Sequence, residues 1–280
     1  MNLIQAILMG IVQGLSEFLP ISSSAHLVFT SNFYKVFKGL DITEPSSQEV
    51  FFDIMLHLGT LIAVLIFFRK DITEILTAMY KAIKEKNYND EKAKIGFYIL
   101  FGTIVTILIA YPLNEVAETL VFAPVIVGIL LIGTGFLLFS AEYFSKKVEK
   151  SDKIDLKTAL IMAAAQGVAA LPGFSRSGLT IASGLFRKLD RTTAARFSFL
   201  LSIPIILGAS MLYPLIKLDL AEVAGYDWTE IIIGTAVSGF VGYLCIKYFL
   251  KFVAKFSLNI FAAYCILAGL FTSIFFTVLH

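Results

Sequence analysis

Two short stretches of the chain collect residue types that handle phosphate. The first runs from Gln13 through Glu17, Pro20, Ser22, Ser23 and Ser24 to His26. The second reads Pro172-Gly173-Phe174-Ser175-Arg176-Ser177-Gly178-Leu179-Thr180. Gln13 and Glu17 are four apart, so on a helix they share one face. Serines that follow a proline break can cap the next helix, whose free N–H groups form an anion site. His26 adds a group that titrates near neutrality. Arg176 carries a planar fork suited to bidentate contact with phosphate oxygens. Ser175, Ser177 and Thr180 add hydroxyls, while Gly173 and Gly178 permit tight turns and close approach of a ligand. A cation, backbone donors, a carboxylate, an imidazole and hydroxyls make up the inventory for phosphoryl transfer. No P-loop accompanies them, which argues against nucleotide hydrolysis. No His/Asp/Glu group has convincing metal spacing. Asp53 and His57, at i and i+4, come nearest, and they read as a hydrogen-bonded pair or an accident of a loop edge.

The surroundings of these residues are apolar. Of 280 residues, 58% are hydrophobic and 16% charged, against about 45–50% and roughly 25% in soluble domains. Mean hydropathy is +0.82. Too little polar surface exists to cover a water-soluble fold, so the chain reads as an integral membrane protein. Disorder is excluded by the same composition, and a net charge of +2 excludes a strongly basic nucleic-acid binder. Cys245 and Cys265 lie in apolar runs and read as small buried residues. The N-terminal stretch has no basic region, so a cleaved signal peptide is not expected. In such a chain a carboxylate at membrane depth costs about 2.5–3.5 kcal/mol unless paired or wet, which marks Glu17 as functional. Arg176 needs an anionic partner on the same grounds. Pairing with Glu17 alone would account for both charges, yet would leave the serines and glycines without a purpose.

Six stretches between charges are near the roughly 20 residues a crossing helix needs: 54–68, 95–114, 119–141, 197–216, 231–246 and 256–279. Two further apolar segments, 1–33 and 158–186, are interrupted by the polar stretches described above. Irregular backbone at membrane depth is tolerated only when buried in protein or lining a wet cavity. Both segments therefore read as helix–break–helix hairpins that enter and leave on one side; a single crossing with a proline kink is the alternative. With both hairpins re-entrant and the first opening outward, 19 of the 23 basic residues fall in inward connections. Lys35, Lys38 and Lys217 fall outward, and Arg176 in the second break. This matches the positive-inside rule and puts both termini outside. If one hairpin crossed, half of the basic connections would land outside.

The two segments also resemble each other. Gln13-Gly14-Leu15 leads through Leu19-Pro20 to Ser23, and Gln166-Gly167-Val168 leads through Leu171-Pro172 to Ser175. The aligned serine stands three residues after each proline. Three spans follow each hairpin, so the second copy must be inverted, an arrangement that brings discontinuous helices together near the midplane. The expected fold is an all-α integral membrane protein: six transmembrane helices plus two re-entrant hairpins in an inverted repeat, residues 1–145 and 146–280, forming one membrane domain.

The stretch from Gln13 to His26 resembles the first signature of the bacterial undecaprenyl-diphosphatases, the bacitracin-resistance family, and Pro172 to Thr180 resembles the second. The likeness extends to His57-Leu58-Gly59-Thr60 and to 197–210. The family pattern begins with Glu or Gln; Gln13 leaves one carboxylate where other members have two. The resemblance implies hydrolysis of undecaprenyl pyrophosphate to undecaprenyl phosphate and orthophosphate, which recycles the lipid carrier for peptidoglycan synthesis. It also implies a place in the bacterial inner membrane, and the charge pattern opens the site to the outer face. Carried over by position, Glu17, Ser23, His26 and Arg176 would be catalytic. Gln13, Ser22, Ser24, Ser175, Ser177, Thr180, Gly173 and Gly178 would bind substrate. Ser23 and water both remain open as the attacking group. Mg²⁺ or Ca²⁺ could bridge the diphosphate; no organic cofactor and no nucleic-acid partner are expected, and the partners are polyprenyl diphosphate and membrane lipid. A transporter that flips polyprenyl phosphate is the alternative, because inverted repeats with midplane sites are typical of transporters.

Overall fold

A computed structural model describes residues 3–37, 39, 46–217, 223 and 225–279. Eleven named helices order these residues: α1 Leu3–Ser16, α2 Ser23–Phe37, α3 Ser47–Phe67, α4 Arg69–Glu85, α5 Glu91–Leu120, α6 Pro124–Ser145, α7 Leu156–Val168, α8 Arg176–Phe186, α9 Arg191–Lys217, α10 Trp228–Val253 and α11 Asn259–Leu279. Six of them, α3, α5, α6, α9, α10 and α11, are long and apolar enough to cross a bilayer. The chain is a multi-pass membrane protein. By contrast α1, α2, α7 and α8 have 14, 15, 13 and 11 residues. At 1.5 Å per residue each reaches only roughly 16–23 Å, short of the ~30 Å hydrocarbon core. They are half-helices, as the interrupted segments predicted.

Helices α3 and α5 start before their uncharged stretches because their N-caps lie among polar residues. Ser46 and Glu49 form a reciprocal capping box that starts α3. Asp90 accepts from Lys92 and Ala93 N–H groups at 2.8 and 3.0 Å, so α5 begins within the charged segment. Helix α4 lies wholly in what the charges mark as a connection. Ile75 and Met79 on its inner face pack so closely on α5 that a Cβ at Gly96 would stand 2.8 Å from Ile75 Cγ2 and 2.7 Å from Met79 Cγ, with Met79 Sδ closer still.

Small residues let the helices approach backbone to backbone. A Cβ on Gly10 or Gly14 of α1 would stand 2.6 or 2.7 Å from the Gly234 or Ser238 carbonyl of α10. Gly135 of α6 stands likewise against the Ala262 carbonyl of α11 at 2.7 Å. The pairing has a pattern: α1 and α3 pack on α10, α7 and α9 pack on α5, and α6 packs on α11.

The four basic connections are tied together at one end of the bundle. Arg191 grips Glu142 with two bonds of 2.6 Å, and Glu142 also accepts from the Leu258 N–H at 2.8 Å. Arg196 pairs with Asp71. Ser151 N–H donates to the Lys188 carbonyl at 2.9 Å, and Asp190 N–H returns to Ser151 at 3.0 Å. Arg187, just past α8, donates to Thr158 in the first turn of α7 at 3.2 Å. The segments that flank the second pair of half-helices are thus hydrogen-bonded to each other.

Candidate active site

The first break follows α1 without loss of helical bonding as far as Glu17, whose N–H donates to the Gln13 carbonyl at 3.0 Å. Pro20 stops the helix. Phe18 is fully buried and meets Phe199 edge-on at 5.3 Å between ring centroids, which anchors the turn beside Glu17. Ser22 then takes a φ of +68°, and its Oγ accepts from Ala25 N–H at 3.2 Å, capping α2. In the second break Gly173 supplies the positive φ, +104°. A Cβ there would stand 2.5 Å from the Val127 carbonyl oxygen, so glycine is required twice over. Ser175 caps α8, its Oγ accepting from Gly178 N–H at 3.0 Å.

This geometry corrects the alignment drawn from the prolines. By its capping role Ser22, not Ser23, is the counterpart of Ser175, and the second break holds one more residue between proline and cap. Ser23 and Arg176 then share one position, the first residue of each second half-helix. The symmetry is detailed. Ser22 and Ser24 hydroxyls lie 3.2 Å apart, as do those of Ser175 and Ser177. Ser22 Oγ donates across to the Phe174 carbonyl at 3.2 Å, and Ser177 Oγ donates back to the Leu19 carbonyl at 2.9 Å.

Glu17, 6% exposed, is the centre of the site. Arg176 Nη2 binds its Oε1. Its Oε2 accepts from Ser23 Oγ at 2.6 Å and from Gln13 Nε2 at 2.9 Å. Arg176 Nη1 is buried and has no hydrogen-bond partner among the described residues. A guanidinium N–H in that state is a donor held ready for an anionic oxygen. Glu17, Ser23, Ser24, Ser175 and Arg176 line a cavity of about 860 Å³ whose remaining wall is largely apolar, including Val50, Ile54, Val121, Phe122, Ile205 and Ile206. The polar groups of both breaks thus gather on one side of a chamber that also carries Asp53, His57, Glu115 and Glu118 on an otherwise mostly apolar wall, the form of a site for a ligand with a charged head and a greasy tail.

Not every predicted residue reaches that chamber. His26 bonds through Nδ1 to the Ser22 carbonyl and through Nε2 to Tyr264 Oη, both at 2.7 Å, and its ring stacks on Tyr264. It neither lines the cavity nor touches Glu17; it braces the capped turn. Thr180 bonds the Arg176 carbonyl at 2.8 Å and the Ser198 hydroxyl, and is wholly buried behind the site. Ser22, Ser177, Gly173 and Gly178 shape the two breaks rather than the chamber's surface. Conversely, Asp53 and His57 do line the chamber, and His57 Nε2 stands 3.7 Å from Glu17 Oε2. The signal for them was available: two ionisable side chains on one face at the start of an otherwise apolar span.

Residues 6–271 match the family described as bacitracin resistance protein BacA. The chain belongs to this family. Members that it resembles run its whole length. It is 36% identical to "Undecaprenyl-diphosphatase 1" of Pseudoalteromonas translucida, covering 99% of this chain and 100% of that one. It is 39% identical to "Undecaprenyl-diphosphatase" of Desulforapulum autotrophicum, covering 98% of each, and 39% identical to that of Methanobrevibacter smithii, covering 96% of each.

A divalent cation, the cofactor suggested by the resemblance, finds no protein cage here. Among the described residues no group of three or more His, Cys, Asp or Glu side chains could hold a metal ion. The oxygens of Glu17 are already engaged by Arg176, Ser23 and Gln13.

Proposed function

We propose that this BacA-family protein hydrolyses undecaprenyl diphosphate to undecaprenyl phosphate and orthophosphate, and so returns the lipid carrier to envelope polymer synthesis. One observation carries the reading: a single buried carboxylate holds an arginine on one oxygen and a serine hydroxyl on the other, at the N-termini of two half-helices. Arg176 and the free N–H groups of α2 and α8 bind the terminal phosphate. Ser23 Oγ attacks its phosphorus in line with the bridging oxygen. Its proton passes to Glu17 Oε2, 2.6 Å away. The P–O bond to the bridging oxygen breaks, and the lipid monophosphate leaves as an anion that needs no added proton. Water then attacks the phosphoserine: the P–Oγ bond breaks, one water hydrogen passes by way of the Glu17 carboxylate to Ser23 Oγ, and the water's oxygen and other hydrogen leave on the orthophosphate. Trapping a phosphoserine separates this course from direct attack by water.

The apolar wall of the chamber suits the polyprenyl tail. The shared end of the basic connections supports an inward position for that end in a bacterial inner membrane, with the chamber open to the outer face. The pairing of α1 and α3 with α10 and of α7 and α9 with α5 supports an inverted repeat with halves 1–145 and 146–280.

The test is orthophosphate release from a long polyprenyl diphosphate by detergent-solubilised protein, because flipping needs a bilayer and hydrolysis does not. Arg176→Lys keeps the charge but loses the planar fork. It is expected to lower kcat/KM about a hundredfold, equivalent to about 2.7 kcal/mol. Hydrolysis near that of the unaltered chain would overturn Arg176 as the phosphate clamp.

A further inference from the structure

We propose that His57 is the second titrating group of the reaction, taking the Ser23 proton from Glu17 and passing it to the water of the chamber. The inference rests on the hydrolysis proposed above and names the proton's route within it. Glu17 can accept that proton but is badly placed to discharge it. Its side chain is 5% exposed, and the accepting oxygen is enclosed by Ser23 and Gln13. Gln13 cannot titrate. His57 stands at the remaining approach, with Nε2 3.7 Å from that same Oε2 and its own side chain 33% exposed. It thus spans the step from buried carboxylate to open chamber.

The ring's tautomer is set for the task. Nδ1 donates to the Asp53 backbone carbonyl at 2.8 Å, so the neutral ring carries its lone pair on Nε2, towards Glu17. The step balances: the O–H bond of protonated Glu17 breaks and an N–H bond forms on Nε2. A carboxylate again faces Arg176, and an imidazolium stands beside it. The imidazolium then releases its proton to chamber water. The 3.7 Å separation is of the kind that tightens when substrate closes a site. His26 cannot serve, because both ring nitrogens are already bonded, to Ser22 and Tyr264.

Other charges bear on His57. Asp53 and Glu49 lie on its own helix, Arg176 reaches in from α8, and Glu115 and Glu118 of α5 share the chamber. Helix α9 faces the chamber with Ile205, Ile206, Ala209 and Ser210, none titratable, and α10 meets α3 through Thr235, Ser238 and Gly239. Arg176 cannot accept a proton, and of the groups named His57 is the one whose acceptor atom stands within 4 Å of Glu17 Oε2.

The experiment measures phosphate release from polyprenyl diphosphate by the full-length chain between pH 5 and 9. The unaltered chain is expected to lose kcat as pH falls and His57 becomes protonated. His57→Gln, which retains an amide donor of similar size, should lower kcat about tenfold, leave KM within twofold, and remove that acid limb. His57→Ala should regain kcat severalfold on addition of imidazole, which the chamber admits. His26→Gln should lower kcat but keep the acid limb. An unchanged acid limb in His57→Gln, with hydrolysis intact, overturns the proposal while leaving the hydrolase reading in place. Absence of phosphate release from the unaltered chain overturns the hydrolase reading itself. Should His57→Ala fail to fold, the pH profile of His57→Gln decides alone.

Discussion

Glu17 holds its position by contacts on both oxygens, and each contact has a different chemical use. Arg176 neutralises it, Ser23 loads it with a proton, and Gln13 only orients it. Gln13 and Glu17 should therefore respond unequally to exchange. Glu17→Gln is nearly isosteric and leaves the fold intact, but it removes the base and the counter-charge to Arg176. Turnover is expected to fall roughly 10²–10⁴-fold, the usual worth of a positioned acid–base group. Gln13→Glu keeps a side chain of the same length in the same place and should retain at least about a tenth of the activity, an order-of-magnitude figure on the same scale. Phosphate release by the two variants checks both; full activity in Glu17→Gln would remove the carboxylate from the mechanism. The central trio of Glu17, Ser23 and Arg176 was legible in the sequence because ionisable groups in apolar stretches demand a partner. His26 points away from that trio. A histidine three residues beyond a candidate serine suggests a base, yet its direction depends on Tyr264, 238 residues away, which no local pattern reveals.

At the scale of elements, two short breaks between half-helices do the positioning. Their existence follows from proline, glycine and serine types alone. Their register does not, because it turns on where each chain adopts positive φ: at Ser22 in the first break and at Gly173 in the second. An alignment anchored on Pro20 and Pro172 is thus one residue out at the caps. Gly173 gives the sharper prediction. Alanine there would need a φ near +104° and would press on the Val127 carbonyl at 2.5 Å. Strain of about 1–3 kcal/mol from the backbone alone should displace Arg176, three residues on. Gly173→Ala is expected to lower both thermal stability and phosphate release. Gly208→Ala, where an added Cβ meets nothing within 4 Å, should leave both near the starting values. Equal behaviour of the two variants would mean that the second break is not a fixed turn. Helix α4 was illegible for another reason: its sequence is rich in charge, and a charge count reads it as a connection, whereas its apolar positions recur at helical spacing and bury against α5.

At the scale of the whole molecule, orientation is fixed by which end carries the cations. The contacts of Arg191 with Glu142, Arg196 with Asp71, Leu258 with Glu142 and Ser151 with Lys188 and Asp190 hold the four basic connections at a common end. Cys245 and Cys265 are both buried, so the native thiols are shielded and single introduced cysteines can be read against them. Lys38, the stretch 40–45 and residues 218–222, which the charge pattern places outward, lie outside the described residues, so the outward test falls on Gly225, exposed just before α10. A membrane-impermeant maleimide should label Gly225→Cys in intact cells. It should not label Asn89→Cys, between α4 and α5, or Lys150→Cys, between α6 and α7, until the cells are opened. The sign follows from the positive-inside rule, since connections rich in Lys and Arg resist translocation. On the same reading α7 and α8 are expected to return to their starting side, since the segments of Lys150 and Lys188 are bonded at 2.9 and 3.0 Å, and a Lys188→Cys label should then follow that of Lys150→Cys. Labelling of Lys150→Cys with protection of Gly225→Cys would reverse the molecule and open its chamber inward; labelling of Asn89→Cys and Lys150→Cys on opposite faces would show that one of the spans between them does not cross.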